Sequence, residues 1–201
     1  MSPPLPPDSD VWAAFRLGDE RAYAALYEQH AAALYEYGVR LVQDEFLVRD
    51  ALHDLFVKLW TKRARLGPLD NVRYYLLTGL RNALLDAKRR DQRYQHVSLD
   101  DEAAPFTLSF SPEAEAWQQQ DQREQSARLL AAVEQLSPRQ KQVIYLRYYE
   151  ELEYAQIAEL LAINVKGVYK LTARALDALK EIMDVPRPLL LLLLLGWRLR
   201  G

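Results

Sequence analysis

Two groups of side chains in this chain have the types and spacing to bind a polyanion, and neither has the makings of a catalyst. Between Lys58 and Arg93 lie ten basic residues, Lys58, Lys62, Arg63, Arg65, Arg73, Arg81, Lys88, Arg89, Arg90 and Arg93, against only Asp70, Asp86 and Asp91. Tyr74 and Tyr75 sit among them. Cationic groups meet phosphates while aromatic rings stack on unpaired bases, so the mixture suits a single nucleic-acid strand. A solvated basic face over core tyrosines is the plainer alternative. The second group, Val165, Lys166, Tyr169, Lys170, Ala173 and Arg174, falls on one side of a helix. Covalent chemistry has little to work with. The chain has no cysteine, its three histidines (His30, His53, His96) are scattered, and it carries no HExxH and no glycine-rich phosphate loop. Asp50, His53 and Asp54 share a helix face and have metal-ligand chemistry, but a solvated or protein-binding face accounts for them more simply.

The elements that must position the second group run from Tyr154 to Leu176. Apolar residues Ile157, Ala158, Leu160 and Leu161 keep helical spacing, as do Val168, Leu171, Ala175 and Leu176. The phase breaks at Ala162-Ile163-Asn164, and Asn164 is a good N-cap for a second helix. A short helix, a tight turn and a longer helix make a helix-turn-helix, whose second helix lies in a DNA major groove. A helical hairpin packed on some other element shares this spacing. Just upstream, Ser137-Pro138-Arg139-Gln140 reads as a capping box opening a helix that buries Val143, Ile144, Leu146 and Tyr148.

The first group sits in a run of near-continuous helix from Asp10 to about Arg93, with turns at Gly18-Asp19 and Gly67-Pro68. Within it, Leu52, Leu55, Phe56, Leu59 and Trp60 form one helix face, and Arg49, Asp50, His53, Asp54, Lys58 and Lys62 populate the other. A last helix spans about Val72 to Arg90. No strand-like alternation appears, so the expected fold class is all-α: two small helical domains joined by a flexible linker. The expected organisation is a disordered proline-rich stretch 1–9, a first domain 10–94, an acidic linker 95–125, a helix-turn-helix domain 126–183 and a leucine-rich tail 184–201.

Composition agrees with a soluble globular chain, half hydrophobic and 27% charged. The formal charge of −2 is not that of an indiscriminate nucleic-acid coat, so DNA binding must come from local patches or from a partner. MSPPLPPDSD lacks the basic end and apolar core of a secretory signal, and a cytoplasmic location follows most simply. The seven leucines Leu189–Leu195 make about 10 Å of helix, too little for a bilayer core of roughly 30 Å, so the chain is not membrane-spanning. This apolar tail must bury itself on the protein, on a partner or in a membrane interface, and docking on the protein is preferred.

With these pieces assembled, residues 10 to 183 resemble a bacterial RNA polymerase sigma factor of the extracytoplasmic-function (ECF) class, which keeps the second and fourth sigma regions. GDERAYAALYEQH and DALHDLFVKLW are similar to the family's opening helix and polymerase-docking helix, and VRYYLLTGLRNALLDAKRR to its minus-ten-reading helix. LSPRQKQVIYLRYYEELEYAQIAELLAINVKGVYKLTARALDALK matches the fourth region almost in register. The resemblance implies a transcription initiation factor, not an enzyme, without cofactor, metal or small-molecule substrate. Its implied partners are core RNA polymerase (the β′ clamp helices and the β flap), promoter DNA and an anti-sigma factor. Asp50, His53, Asp54, Lys58 and Trp60 would meet the polymerase. Asn71, Arg73, Tyr74, Tyr75, Arg81 and Asn82 would trap flipped minus-ten bases, with Lys88, Arg89 and Arg90 on phosphates. Asn164, Val165, Lys166, Tyr169, Lys170 and Arg174 would meet the minus-thirty-five element.

The sequence departs from the family pattern in places. His53 stands where glutamine is usual and Tyr75 where tryptophan is usual. Glu151 and Ala162 replace glycines common in two turns, and Gly167 replaces a threonine. The recognition helix is also short of arginines, which predicts weak binding to free DNA. Two other readings share parts of this pattern: a helix-turn-helix regulator acting without polymerase, and a sigma-like decoy that does not initiate.

Overall fold

The structure is a computed structural model and describes residues 8–94, 106 and 120–198. Contacts divide the chain into two compact units, Met1–Asp101 and Glu102–Gly201, and every described element is helical.

The first unit holds α1 (Asp8–Arg16), α2 (Glu20–Val42), α3 (Glu45–Lys62) and α4 (Val72–Tyr94). Gly18, at φ 96°, makes the turn after α1, and Asp19 then caps α2 by accepting the Arg21 and Ala22 amides. Asp44 caps α3 in the same way through the Leu47 amide. The core forms where the apolar stripes converge: Trp12, Phe15, Leu26, Leu34, Tyr37, Val48, Leu76, Leu77, Leu80 and Leu84 are almost wholly buried. Gly38 permits the closest approach. A Cβ there would stand 2.7 Å from Val48 Cγ1, so the Val48 side chain of α3 sits directly on the α2 backbone. Helix α3 ends earlier than the expected Gly67-Pro68 stop, giving way to a 3₁₀ turn at Arg63–Arg65, whereas α4 runs past Arg90 to Tyr94. Helix α1 begins at Asp8, inside the stretch expected to be disordered, and residues 1–7 lie outside the described residues.

The second unit holds α5 (Gln120–Glu134), α6 (Pro138–Ile144), a π-helical turn (Tyr145–Tyr149), α7 (Tyr154–Leu161), α8 (Val165–Met183) and α9 (Arg187–Arg198). The Ser137 capping box is present, with Gln140 reaching back to the Ser137 amide at 3.0 Å. A second box, Glu153 with Gln156, opens α7. The π turn corrects one expectation. One extra residue in the turn rotates the helix phase, so Tyr145 is fully buried and Tyr148 only partly so. Burial first, then the neighbouring Tyr154, holds the Tyr148 phenol above its usual pKa, with Arg147 and Arg187 opposing. Of the linker, Phe106 is described and is buried beside Tyr145, ring centroids 5.6 Å apart. The rest of 95–119 lies outside the described residues.

Both turns where glycine is usual in the resembling family keep a left-handed backbone here. Glu151 has φ 56° and Ala162 φ 54°. A side chain in that region costs about 1–2 kcal/mol, partly offset because glycine loses more chain entropy on folding, about 0.5–1 kcal/mol. Ala162→Gly and Glu151→Gly are each expected to stabilise the second unit by up to about 1 kcal/mol. Urea denaturation of each variant checks this, and a lower midpoint in both would refute the strain.

Candidate nucleic-acid interface

The helix-turn-helix is built locally. Ile163 and Ala162 amides bond back to the Ala158 and Glu159 carbonyls, closing α7, and Asn164 Oδ1 accepts the Gly167 amide at 2.7 Å, opening α8. Val168, Thr172, Ala175, Leu176 and Leu179 bury one side of α8. Val165, Lys166, Tyr169, Lys170 and Arg174 are exposed on the other, and Ala173 lies half-buried at its edge. Asn164 is exposed but spends its side chain on the cap. Tyr169 is 55% exposed yet its ring is held: it stacks on Tyr154 of α7 at 4.1 Å and 26°. The Arg147 guanidinium sits 5.0 Å from the Tyr154 ring and donates to the Leu152 carbonyl at 3.0 Å. This Arg147–Tyr154–Tyr169 ladder was not legible in the sequence, because its members come from three elements.

In the first unit α4 carries Tyr74, Arg81 and Lys88 seven residues apart, within about 40° of arc, and all three are half-buried. Arg73 is half-buried too, and Asn82, Arg89 and Arg90 are exposed. Arg90 Nε donates to the Asp86 carbonyl at 3.3 Å, and Arg89 lies 3.9 Å from the Asp86 carboxylate. Two expected contact residues also make contacts within the fold. Asn71 Oδ1 accepts the Tyr74 amide at 2.8 Å and so opens α4. Tyr75 points toward α1, its ring edge-on to Trp12 at 5.7 Å. Together with Leu55, Leu59, Leu66 and Gly79 it lines a groove of about 210 Å³ between α3 and α4, rimmed by Lys58 and Lys62.

The stretch leading into α4 is held from α1. Trp12 Nε1 donates to the Gly67 carbonyl at 3.0 Å, and Arg16 Nε to the Leu66 carbonyl at 2.6 Å. Sequence periodicity could not find these bonds, since they join residues 50 or more apart. Trp12 and Arg16 otherwise read as ordinary members of an amphipathic helix.

On α3, Asp50, His53, Asp54 and Lys58 are exposed, with Asp54 3.8 Å from Lys58. Trp60 is not with them: its ring packs 5.1 Å from Tyr23 and lies under the Arg63 guanidinium at 4.1 Å. Two residues that sequence reasoning missed share the outward face. Phe46 is 80% and Val57 47% exposed, and with Asp50 and His53 they span about 60° of arc. The signal was available as an apolar pair eleven residues apart on the polar side of the helix. Among the described residues no group of three or more acidic or histidine side chains could hold a metal ion, and no helix is long and apolar enough to cross a membrane.

Comparison with known proteins matches the two units separately. Residues 26–94 fit the family model for sigma-70 region 2, and residues 126–179 that for sigma-70 region 4. The ECF RNA polymerase sigma factor SigL of Mycobacterium tuberculosis is 29% identical over 167 residues, covering 81% of this chain and 91% of SigL. SigK of Mycolicibacterium vanbaalenii is 26% identical over 178 residues, covering 83% and 84%. CarQ of Myxococcus xanthus is 28% identical over 173 residues, covering 84% and 93%. Among solved structures, RpoE of Bartonella quintana in complex with the anti-sigma factor NepR aligns with a TM-score of 0.56 at 21% identity, over 81% of this chain and 97% of that one. CnrH in complex with the cytosolic domain of CnrY aligns at 0.54 and 21%, over 88% and 97%. Those two speak to the fold. With regions 2 and 4 both matched and the helical architecture of each in place, the chain belongs to the extracytoplasmic-function class of the sigma-70 family and directs RNA polymerase to promoters.

Proposed function

We propose that the two units divide that task by surface. The exposed α3 face, with Phe46 and Val57 as apolar anchors among Asp50, His53, Asp54 and Lys58, docks on the β′ clamp helices of core polymerase. An apolar centre within a charged rim is the usual anatomy of such a contact. The Tyr74–Arg81–Lys88 stripe and Arg73, Asn82, Arg89 and Arg90 then meet the minus-ten strand. Unstacking a base costs a few kcal/mol and stacking on a ring returns about 1–3, so a flipped base must be captured to stay out. The groove beside Tyr75 suits that capture: an apolar slot for the base, with the Lys62 ammonium group for its phosphate. On α8, Lys166, Tyr169, Lys170 and Arg174 read the minus-thirty-five element.

The observation carrying this reading is the exposed side of α8: three cations and a pre-stacked ring presented from a helix whose other side is sealed in the core. Few phosphate contacts are on offer, so polymerase supplies most of the affinity and free-DNA binding is weak. A pull-down with core polymerase followed by run-off transcription tests the scheme. Binding with initiation supports it, binding without initiation makes the chain a decoy, and promoter binding without polymerase makes it a stand-alone regulator. An anti-sigma factor is a further proposed partner, since RpoE was solved with the anti-sigma factor NepR bound.

The ladder behind Tyr169 gives a sharper test of the fourth region. Tyr154→Ala leaves Tyr169 without its stacking partner, and discrimination among minus-thirty-five variants is expected to fall roughly three- to tenfold. Tyr154→Phe retains the stack and the discrimination. If run-off assays find Tyr154→Phe as impaired as Tyr154→Ala, the ring is not what holds Tyr169.

A further inference from the structure

The exposed side of α8 is divided along its length. Lys166, Lys170 and Arg174 follow one another at four-residue spacing, and so do Val165, Tyr169 and Ala173. Each row drifts through about 80° of arc, so a cationic row and an apolar row run side by side along the helix. Phosphates and guanine acceptors account for the cations. The fold accounts for little of the apolar row. Val165 is 42% exposed and Tyr169 55%, although the same helix buries Val168, Thr172, Ala175, Leu176 and Leu179 almost completely. A β-branched valine is also a poorer helix former than alanine or glutamate, so helix formation does not call for it at the first position.

What the row faces limits its occupant. Asn164 caps the helix just ahead of Val165, so Val165 and Tyr169 lie in its first two turns. It is the N-terminal part of a recognition helix that reaches base edges in the major groove. The apolar group that marks a base there is the thymine C5-methyl, and the other bases are told apart by donors and acceptors. Val165 has no hydrogen bond to offer and can discriminate by that methyl alone. Tyr169 is set to join it: stacking on Tyr154 at 4.1 Å covers one face of its ring and leaves the other open. An apolar protein surface laid over this row would bury the adjoining Lys166 and Lys170 without anionic partners, whereas DNA supplies them.

We infer that Val165 and Tyr169 read thymine, seating C5-methyl groups of the minus-thirty-five element against the apolar row. Lys166 and Lys170 hold the adjoining guanine acceptors or phosphates. This rests on α8 being the minus-thirty-five reader and adds which base it selects. Each methyl lifted from such a contact is worth roughly fourfold in affinity.

The test starts from the full chain with core polymerase, which selects active promoters from a library randomised in the minus-thirty-five element. Each thymine of the selected element is then replaced by deoxyuridine, which removes the methyl and nothing else. At subsaturating holoenzyme, run-off transcription is expected to fall roughly fourfold for each methyl that is read. The double variant Val165→Ala/Tyr169→Ala is expected to transcribe thymine and deoxyuridine templates equally, and Tyr169→Phe, which keeps the ring, to stay sensitive. Both positions are exposed, so the double variant keeps its melting temperature and its binding to core polymerase. A selected element without thymine overturns the inference, as does wild-type transcription indifferent to deoxyuridine at every position, or a double variant as sensitive as wild type. If Lys170→Ala still costs minus-thirty-five discrimination in those cases, α8 remains the reader and only the thymine assignment fails. If it does not, both fail together.

Discussion

Asp54→Ala is expected to weaken binding to core polymerase several-fold, mostly through a slower on-rate as for a charge in an interface rim, while leaving the fold intact. Asp54 is exposed, and its partner Lys58 lies 3.8 Å away with both side chains more than 60% open to solvent. Such surface pairs contribute about 0–1 kcal/mol to stability, so a several-fold loss of binding could not be blamed on unfolding. Lys170→Ala is the matching control from the other unit. It is expected to leave core binding unchanged and to cost about 1–3 kcal/mol of discrimination at the minus-thirty-five element if Lys170 reaches a base. Affinity measurement with core enzyme, paired with run-off transcription on promoters altered at either element, reads both effects. Equal loss of core binding in the two variants would refute the division of labour.

The largest effect on stability is expected from Trp12. This residue is 1% exposed, packs on Phe15 and Tyr75, and donates to the Gly67 carbonyl. Trp12→Ala removes the ring and leaves a cavity, at about 3–5 kcal/mol, a large share of the 5–15 kcal/mol typical of a small domain. Trp12→Phe isolates the other role. It keeps most of the packing but deletes the indole N–H, a bond of about 0.5–1.5 kcal/mol, so the Leu66–Asn71 stretch is less firmly held beside the groove. Arg16→Ala loosens it from the adjacent carbonyl. Both are expected to slow open-complex formation several-fold with core binding unchanged, read by permanganate reactivity of unpaired minus-ten thymines. Wild-type opening rates in Trp12→Phe and Arg16→Ala together would show that the stretch needs no tether.

Periodicity and caps alone determined a good deal here. The α-helical class, the Asn164 and Ser137 caps, the break at Ala162 and the charged outer face of α3 all depend on residues within one or two turns of each other. Local hydrogen bonds and a 3.6-residue repeat are written directly in such neighbours. Tertiary structure decided what depends on distant partners. Which way Tyr75 and Trp60 point follows from where α1 and α2 lie. Whether Tyr145 or Tyr148 is buried follows from a single inserted residue in the π turn. That Tyr169 is braced and the Leu66–Asn71 stretch tethered follows from Tyr154, Trp12 and Arg16 arriving from other helices. The leucine run shows the same boundary: composition required that it be covered, but only packing could bury Leu190 and Leu194 and leave Leu189, Leu192 and Leu195 outside.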